Sequence, residues 1–364
     1  MSKKEKRPYK KNRKFYMACT ITIVTCFVFL GGLYALASNF MNTPPEVEDE
    51  FIFEIPIEEE NPNDRPAIIV LDDEDLIRET LNVEPEVDTI HFTRRPGVFT
   101  FLLYGLDEGY NVDSIMVALF DTNDRSVHII GMPRDTKVES SRRTGLSKLV
   151  ASYPSGRARG GGHEGGVERL STEVASLIGF VPDFYIGINL RAFVRVIDGI
   201  GGVTVHVPFH MRYNDPYQNL HIDIPAGTQR LSGQQALHFA RFRQADEGFR
   251  SINDFQRIEN QQTILAAVLD EMLSPRSITQ IPEFIRIYQE HVYTNISNSD
   301  LVWFGADVAL NGIDSFETHT IPIARTERNG WYEVPDRDGL LELINRTINP
   351  FTRDIEAGML RIVS

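Results

Sequence analysis

The sequence predicts an α/β fold with helices on both faces of a sheet, preceded by a single membrane-spanning segment. Short apolar runs that end at turn residues alternate along most of the chain with stretches whose apolar residues recur at helical spacing. A charge-free stretch at residues 15–37, behind a basic N-terminus, has the length and composition of a membrane span. We therefore expect one N-terminal anchor followed by an extracytoplasmic α/β domain.

Residues 15–37 exceed the ~20 apolar residues that cross a bilayer core. Residues 1–14 hold eight basic residues and one acidic residue, which predicts a cytoplasmic N-terminal tail by the positive-inside rule. The alternative is a cleaved signal peptide, with a candidate cleavage site at Ala35-Leu36-Ala37, although the apolar core of such a peptide usually spans ~7–15 residues. Both cysteines, Cys19 and Cys26, fall within the span, so the exported part has no disulfide and no Cys-ligated metal.

The formal net charge of −14 is concentrated in one segment. Residues 42–90 hold seventeen acidic residues against Arg65 and Arg78. Self-repelling charge with scattered proline predicts an extended extracytoplasmic linker over residues 38–90. Within this linker, the alternative to a solvated spacer is that Phe51-Ile52-Phe53 forms a peptide-like site for a partner. The remainder of the chain is only mildly acidic, which argues against a nucleic-acid partner.

A single domain is predicted over residues 91–349, followed by a C-terminal tail at 350–364. The expected strands are residues 99–105, 113–120, 126–132, 203–207 and 316–323. The expected helices are residues 165–178, 189–198, 232–239, 253–273, 299–310 and 336–347, with another near 283–290. The glycine-rich stretch at 160–166 lacks the strand and the GK sequence of a phosphate-binding loop, so it is expected to be a flexible loop.

Two carboxylates flank the turn between the first two strands of this domain. Asp107 follows the first strand and Asp113 begins the second, so a tight turn brings both to the same end of the sheet. Ligand sites of α/β sheets lie at strand ends, and two carboxylates suit a hard cation such as Mg²⁺. The alternative is turn chemistry, because Asp side chains commonly cap turns.

Basic and polar residues follow later elements. Arg134 comes directly after the third strand, and its planar guanidinium matches phosphate; the alternative is a surface ion pair worth about 0–1 kcal/mol. Arg241 and Arg243 end a helix, where the helix dipole alone favours cations. Arg257 and Gln261 share one face of the next helix. Arginines, carboxylates and a divalent cation together are typical of phosphoryl transfer. The sequence carries no signature of a histidine metal site, a Walker loop or a serine nucleophile elbow.

Ordered motifs between residues 92 and 349 resemble those of the LytR–CpsA–Psr family, membrane-anchored enzymes of bacterial cell walls. The motifs are FLLYGLD, VDSIMVALFD, IIGMPRDT, SKL, VIDGIGGVTVHVP, LSGQQALHFARFR and NDFQRIENQQ. The resemblance implies a three-layer α/β/α sandwich with a mixed central sheet and a pocket for a polyprenyl tail. It also implies transfer of an anionic glycopolymer from an undecaprenyl-diphosphate carrier to a hydroxyl of peptidoglycan. The implied partners are that lipid-linked polymer, peptidoglycan and the cytoplasmic membrane, with no nucleic acid.

Residue roles follow from the same resemblance, position by position. Asp107 and Asp113 are expected to bind Mg²⁺ or another divalent cation. Asp107 is also expected to assist deprotonation of the acceptor hydroxyl, with Arg134 and Arg257 as further catalytic residues. The side chains expected to grip the diphosphate are Arg134, Arg241, Arg243, Arg257 and Gln261.

Two positions depart from the family pattern, because Asn111 and Asn260 stand where the family usually has arginine. Loss of a transition-state donor typically costs on the order of 10²–10³ in rate. Nearby arginines that could compensate are Arg142, Arg143, Arg157 and Arg159. These departures leave a second hypothesis open, a non-catalytic polyprenyl-diphosphate-binding or scaffolding protein. A DNA-binding regulator is disfavoured by the anchor, the outside orientation and the acidic charge.

Overall fold

A computed structural model describes residues 43–54, 89–107, 109–139, 146–218, 220–272, 286 and 292–363. The expected membrane span at 15–37 and most of the expected linker lie outside these residues. Among the residues that are described, no helix is both long and apolar enough to cross a membrane. The described residues divide into two compact units, one that includes residues 43–46 and 297–310 and one that includes the described parts of 47–296 and 311–363.

The larger unit is organised around a six-stranded mixed sheet, as seen in the described residues. Its strands are β3 (Val98–Leu106), β4 (Val112–Asp121), β5 (Ser126–Met132), β8 (Phe184–Asn189), β13 (Val292–Thr294) and β14 (Ser315–Thr320). They lie in the order β13-β8-β3-β4-β5-β14. The pairs β3–β8 and β5–β14 are parallel, whereas β13–β8, β3–β4 and β4–β5 are antiparallel. The prediction of a mixed α/β fold is confirmed.

The remaining strands form small two-stranded pairings. The other strands are β1 (Glu50–Glu54), β2 (Thr89–Thr93), β6 (Lys137–Glu139), β7 (Leu146–Lys148), β9 (Val203–Val207), β10 (Met211–Asp215), β11 (Leu220–Ile224), β12 (Gly227–Leu231), β15 (Ile323–Glu327) and β16 (Tyr332–Pro335). The helices are α1 (Ser152–Gly156), α2 (Gly162–Ile178), α3 (Leu190–Gly199), α4 (Gly233–Arg241), α5 (Asp254–Met272), α6 (Asn298–Asn311) and α7 (Arg337–Thr347).

Helices contact both faces of the sheet because its strands are apolar on both sides. On one face, Ile130 and Met132 of β5 join a core with apolar residues of α2 and α7. Gly131 points to the opposite face, where a Cβ atom would overlap Ile258 of α5. A second core lies where α3, α4 and α5 pack against the strand pairs β9–β12 and β10–β11. Helix α4 begins at the capping box that Ser232 and Gln235 form.

The glycine-rich stretch at residues 160–166 is not the flexible loop that its composition predicts. Residues 157–161 form a π-helical turn, and α2 begins at Gly162. The glycines permit close packing: a Cβ atom on Gly156 would overlap the carbonyl oxygen of Gly165, and one on Gly166 would meet the Tyr153 ring. Small residues therefore serve a contact between two helical segments, which composition alone does not reveal.

Residues on both sides of the expected domain also pack on the fold. Within the expected 38–90 linker, β1 pairs antiparallel with β2, and Phe51 stacks on Phe351 with ring centroids 5.7 Å apart. Within the expected C-terminal tail, Phe351, Ile355 and Leu360 are buried in the main core. Their burial removes apolar surface from water, so these residues are part of the fold rather than a spacer or a tail.

Candidate functional site

Three of the predicted site residues, Asp107, Asp113 and Arg134, lie at one end of the sheet. Strands β3, β5 and β8 run in the same direction, so their carboxyl ends and the amino end of β4 meet at that end. Asp107 follows β3, Asp113 lies at the start of β4, and Arg134 follows β5. The hairpin between β3 and β4 places both aspartates at the same end, as their spacing predicts.

Asp107 organises the turn of this hairpin. Its Oδ1 accepts hydrogen bonds from the backbone N–H groups of Gly109, at 2.7 Å, and Asn111, at 2.8 Å. Its Oδ2 accepts one from Nδ2 of Asn111, at 2.8 Å. Asn111 therefore holds the Asp107 carboxylate through its backbone N–H and its side-chain amide. The turn-capping interpretation of Asp107 is correct, but an ionised carboxylate offers about four acceptor sites, so coordination sites remain.

Asp113 contacts two arginines from different elements, one through its carboxylate and one through its backbone carbonyl. Nη1 of Arg134 donates to Oδ1 of Asp113 at 2.9 Å, and Nη2 of Arg257 lies 3.5 Å from the Asp113 carbonyl oxygen. The backbone of Arg134 is also held, because the Arg134 carbonyl oxygen accepts a hydrogen bond from the Val150 N–H at 2.9 Å. The end of β5, the start of β4 and helix α5 thus meet at this point.

Arg257 is the most buried member of the group, with 6% of its surface exposed. Burial lowers its pKa most; the nearby Arg134 and Arg243 charges also lower it, while Asp254 and Asp113 raise it. Nη2 lies 2.8 Å from Oδ1 of Asp254, an ion pair that lacks hydrogen-bond alignment. Within the described part of the chain, the buried Nε of Arg257 and Oε1 of Gln261 have no hydrogen-bond partner. The unpartnered Nε–H of Arg257 is a donor in a cationic cluster, which favours binding of an anion, whereas Oε1 of Gln261 is an acceptor.

Arg243, Arg241 and Asn260, which the sequence also singles out, differ in their surroundings. Arg243 is exposed, and its charge acts on Arg257, so it belongs to the cluster. No contact joins Arg241 to this cluster among the described residues; burial, and then the charge of Arg241, lower the pKa of His238. Asn260 is buried and donates from Nδ2 to the Phe239 carbonyl oxygen at 3.3 Å. Asn260 therefore ties α5 to α4, so its amide group is engaged away from the arginine cluster.

A cleft of about 390 Å³ opens beside Asp107 at the same sheet edge. Its lining adds residues that the sequence analysis missed, namely Leu106, Tyr110, Asn189, Leu190, Arg191 and Tyr293. The guanidinium of Arg157 lies 3.8 Å from the centre of the Tyr110 ring. Arg157 thus brings positive charge to one wall of the cleft. Apart from Leu106, which belongs to the FLLYGLD motif, these residues lie outside the quoted motifs and come from separate elements that meet only in the fold.

His163, in the glycine-rich segment, joins an aromatic cluster next to this cleft. Its ring stacks on Tyr293 with centroids 4.0 Å apart. Its Nδ1 and Nε2 lie 2.5 Å and 3.3 Å from the hydroxyl oxygens of Tyr153 and Tyr104. Burial raises the pKa of Tyr153 to about 12 and raises that of Tyr104, so both hydroxyls remain protonated at neutral pH.

Acidification is expected to destabilise the protein through His163. Burial, and then the charge of Arg157, lower the pKa of His163 below its unfolded value of about 6.5. The unfolded state then binds more protons than the folded state. The stability that neutral His163 contributes is therefore fully present above about pH 6.5 and is lost as the pH falls further. The difference in thermal midpoint between wild type and His163→Gln should therefore shrink below about pH 6.5. A difference that stays constant from pH 8 to 5 would contradict this expectation; the exposed His210→Gln serves as control.

A mixed sheet that carries clustered arginines and carboxylates at one edge defines an α/β protein with a candidate anion-binding site. The chain belongs to the LytR–CpsA–Psr family, because the family profile (LytR_cpsA_psr) matches residues 73–348, more than half of its length.

Individual relatives share about a quarter of their aligned residues with this chain. The chain is 26% identical over 263 residues to the regulatory protein MsrR of Staphylococcus aureus strain COL, covering 70% of this chain and 73% of MsrR. It is 27% identical over 257 residues to TagV of Bacillus subtilis strain 168, named a polyisoprenyl-teichoic acid–peptidoglycan teichoic acid transferase, covering 68% of this chain and 62% of TagV.

Solved structures share the fold. The crystal structure of B. subtilis TagV matches with a TM-score of 0.57 at 24% identity, covering 69% of this chain and 96% of that one. The structure of TagT bound to LI-WTA matches with a TM-score of 0.54 at 21% identity, covering 69% and 89%. At these identities the likeness establishes the fold of the domain.

Proposed function

We propose that this protein transfers an anionic glycopolymer from an undecaprenyl-diphosphate-linked carrier to a peptidoglycan hydroxyl, by Mg²⁺-assisted phosphoryl transfer. Membership of the family supports the proposal, as do relatives named as teichoic acid transferases. The observation that carries it is the buried, partly unpartnered Arg257 beside Arg134 and Arg243. A diphosphate supplies the oxygens that such a cluster of guanidinium groups can bind.

The reaction balances as follows. The acceptor hydroxyl oxygen attacks phosphorus, its proton passes to a carboxylate, and the P–O bond to the leaving group breaks. The leaving group is undecaprenyl phosphate or diphosphate, depending on which P–O bond breaks. Asp107 is our candidate proton acceptor, since it lies at the cleft and its carboxylate is oriented by three hydrogen bonds. Charge that develops on the phosphate oxygens would be stabilised by Arg134, Arg243 and Arg257, with Arg241 and Gln261 as further contacts.

The donor set fits a divalent cation at Asp107 and Asp113. Mg²⁺ is commonly held by one or two carboxylates together with waters and substrate phosphates, and both aspartates lie at the same hairpin end. When bound, the cation would neutralise charge on the diphosphate. Asp113 also forms an ion pair with Arg134. A bound Mg²⁺ and the Arg134 guanidinium would therefore both contact the carboxylate oxygens of Asp113.

A membrane location completes the proposal. The charge-free span at residues 15–37 would hold the domain, with its N-terminus cytoplasmic, at the outer face of the membrane that contains the lipid carrier. The acidic linker would set the distance between membrane and site. We also propose that the sheet and its flanking helices form the three-layer α/β/α sandwich that the family resemblance implies.

Arg134→Ala is the direct test of this function. Transfer of a polyprenyl-diphosphate-linked polymer to peptidoglycan, measured with purified full-length protein and Mg²⁺, should fall about tenfold to a hundredfold. This range corresponds to the ~1.5–3 kcal/mol of one charge-assisted hydrogen bond. Arg353→Ala, which removes an exposed ion pair with Glu356, should retain wild-type transfer.

Two outcomes would contradict the proposal. Normal transfer by Arg134→Ala would exclude the site assignment. Tight binding of the lipid by the wild-type protein without any transfer would favour the binding or scaffolding alternative, in which Asn111 and Asn260 cannot supply the guanidinium contacts of the family.

A further inference from the structure

Two histidines and a glutamate meet on neighbouring parallel strands, away from the site described above. His128 lies in β5, and Glu317 and His319 lie in β14. Glu317 is the register partner of His128, and His319 is two residues further along, so all three side chains project from the same face of the sheet. One ligand atom from each of the three lies within 4.8 Å of the others.

The spacing of these atoms is close to that of metal ligands. Nδ1 of His128 and Nε2 of His319 lie 3.6 Å and 3.5 Å from Oε2 of Glu317. Ligand atoms about 2.0–2.2 Å from Zn²⁺ at tetrahedral angles are ~3.3 Å apart. Small side-chain adjustments would therefore bring all three atoms to one ion.

The two nitrogens also lack another partner. Among the described residues, Nδ1 of His128 and Nε2 of His319 are buried without a hydrogen bond. Buried polar atoms in native proteins nearly always have a partner, so two unpaired nitrogens that face one carboxylate need an explanation. A bound cation satisfies all three groups, whereas a histidine–glutamate ion pair at these distances satisfies none of them well.

We propose that His128, Glu317 and His319 bind a transition-metal ion such as Zn²⁺. Imidazole nitrogens favour Zn²⁺, Ni²⁺ and Cu²⁺, whereas Mg²⁺ and Ca²⁺ prefer oxygen ligands. Three protein ligands leave a fourth position for water. The Glu317 side chain is 53% exposed, which gives the ion a path from solvent.

This site is independent of the proposed transfer reaction. Six residues of extended chain, about 20 Å, separate His128 from Arg134. The nearby Asp121 is already paired with Arg95, so Glu317 supplies the negative charge of the cluster. Nε2 of Gln262 donates to the His319 carbonyl oxygen at 2.7 Å, which fixes β14 against α5. The ion would therefore crosslink the edge strand β14 to β5, and its role would be structural or regulatory.

The test is a Zn²⁺ titration of metal-stripped full-length protein, read by competition with a chromophoric chelator and by the thermal midpoint. We expect one equivalent to bind and the thermal midpoint to rise, and this rise with Zn²⁺ should be lost in His319→Ala. Any rise that Mg²⁺ causes through Asp107 and Asp113 should be the same in the wild type and in His319→Ala. His319→Ala and Glu317→Gln should each lower Zn²⁺ affinity by about a hundredfold or more, because even residues behind the ligands typically contribute ~10–100-fold.

A matched control is available in His210, whose Nε2 lies 2.6 Å from Oδ1 of Asp223 in an exposed pair. His210→Ala should bind Zn²⁺ as the wild type does. Three results would overturn the proposal: no competition by the wild-type protein, unchanged affinity in His319→Ala, or an equal loss in His210→Ala. None of these results bears on polymer transfer, so failure here leaves the proposed reaction to its own test.

Discussion

Arg257→Ala is expected to lower the rate of polymer transfer by on the order of 10²–10³-fold, the usual cost of removing a preorganised transition-state donor. Arg257 is buried, its Nε has no partner among the described residues, and two more guanidinium groups act on it. Its burial and fixed position mean that little reorganisation is needed when charge develops on a phosphate. The measurement is single-turnover transfer at saturating lipid-linked polymer.

A paired variant separates this catalytic effect from a stability effect. Arg257→Ala alone leaves Asp254 buried without its ion-pair partner, which destabilises a protein. The double variant Asp254→Asn/Arg257→Ala removes that charge, so it should recover the thermal midpoint while transfer remains low. Arg230→Ala is the control, because Arg230 pairs with Glu271 near the other end of α5. Transfer by the double variant within about threefold of wild type would refute the role of Arg257.

Local patterns were sufficient for most elements of the sheet and its helices. The apolar runs ending at Gly105, Phe120 and Met132 correspond to β3, β4 and β5 within two residues. The helix expected at 253–273 is α5, Asp254–Met272. Such segments are predictable because burial of one face requires a strand or helix period in the sequence itself. The expected helix near 283–290 lies outside the described residues, apart from Arg286.

The parts that sequence analysis missed depend on contacts between distant residues. β8 was not predicted, although it lies beside β3 within the sheet and its sequence, FYIGIN, is mostly apolar; only pairing with the remote β3 shows it to be a strand of this sheet. The direction of Asn260 toward a backbone carbonyl depends on how α5 packs against α4. The absence of a histidine motif hid the cluster of His128 and His319, which parallel pairing of two remote strands brings together. The periodicity of apolar residues predicts which side chains are buried, but it does not predict which residues they contact.

Arg94→Ala is expected to destabilise the domain by about 3–5 kcal/mol, the usual cost of removing one partner of a buried ion pair. Arg94 and Asp183 pair with 6% and 9% of their side chains exposed. Oδ2 of Asp183 also accepts from the backbone N–H and the hydroxyl of Thr100, both at 2.7 Å. This network joins the segment after β2 to β3 and to the start of β8. Without Arg94, a carboxylate would remain buried with only neutral donors.

The pH dependence of this loss identifies its cause. Burial already raises the pKa of Asp183, and the charge of Arg94 opposes that rise, so the variant should have a still higher pKa. A carboxyl group whose pKa is higher in the folded state than in the unfolded state makes the folded protein less stable as the pH rises. The loss of stability in Arg94→Ala should therefore shrink when acid protonates Asp183. Unfolding midpoints of both proteins from pH 8 to 4 measure this. Arg353→Ala, at an exposed pair, should change stability by less than about 1 kcal/mol at every pH. A deficit in Arg94→Ala that is equally large at pH 4 and pH 8 would mean that lost packing, rather than the unpaired charge, destabilises the domain.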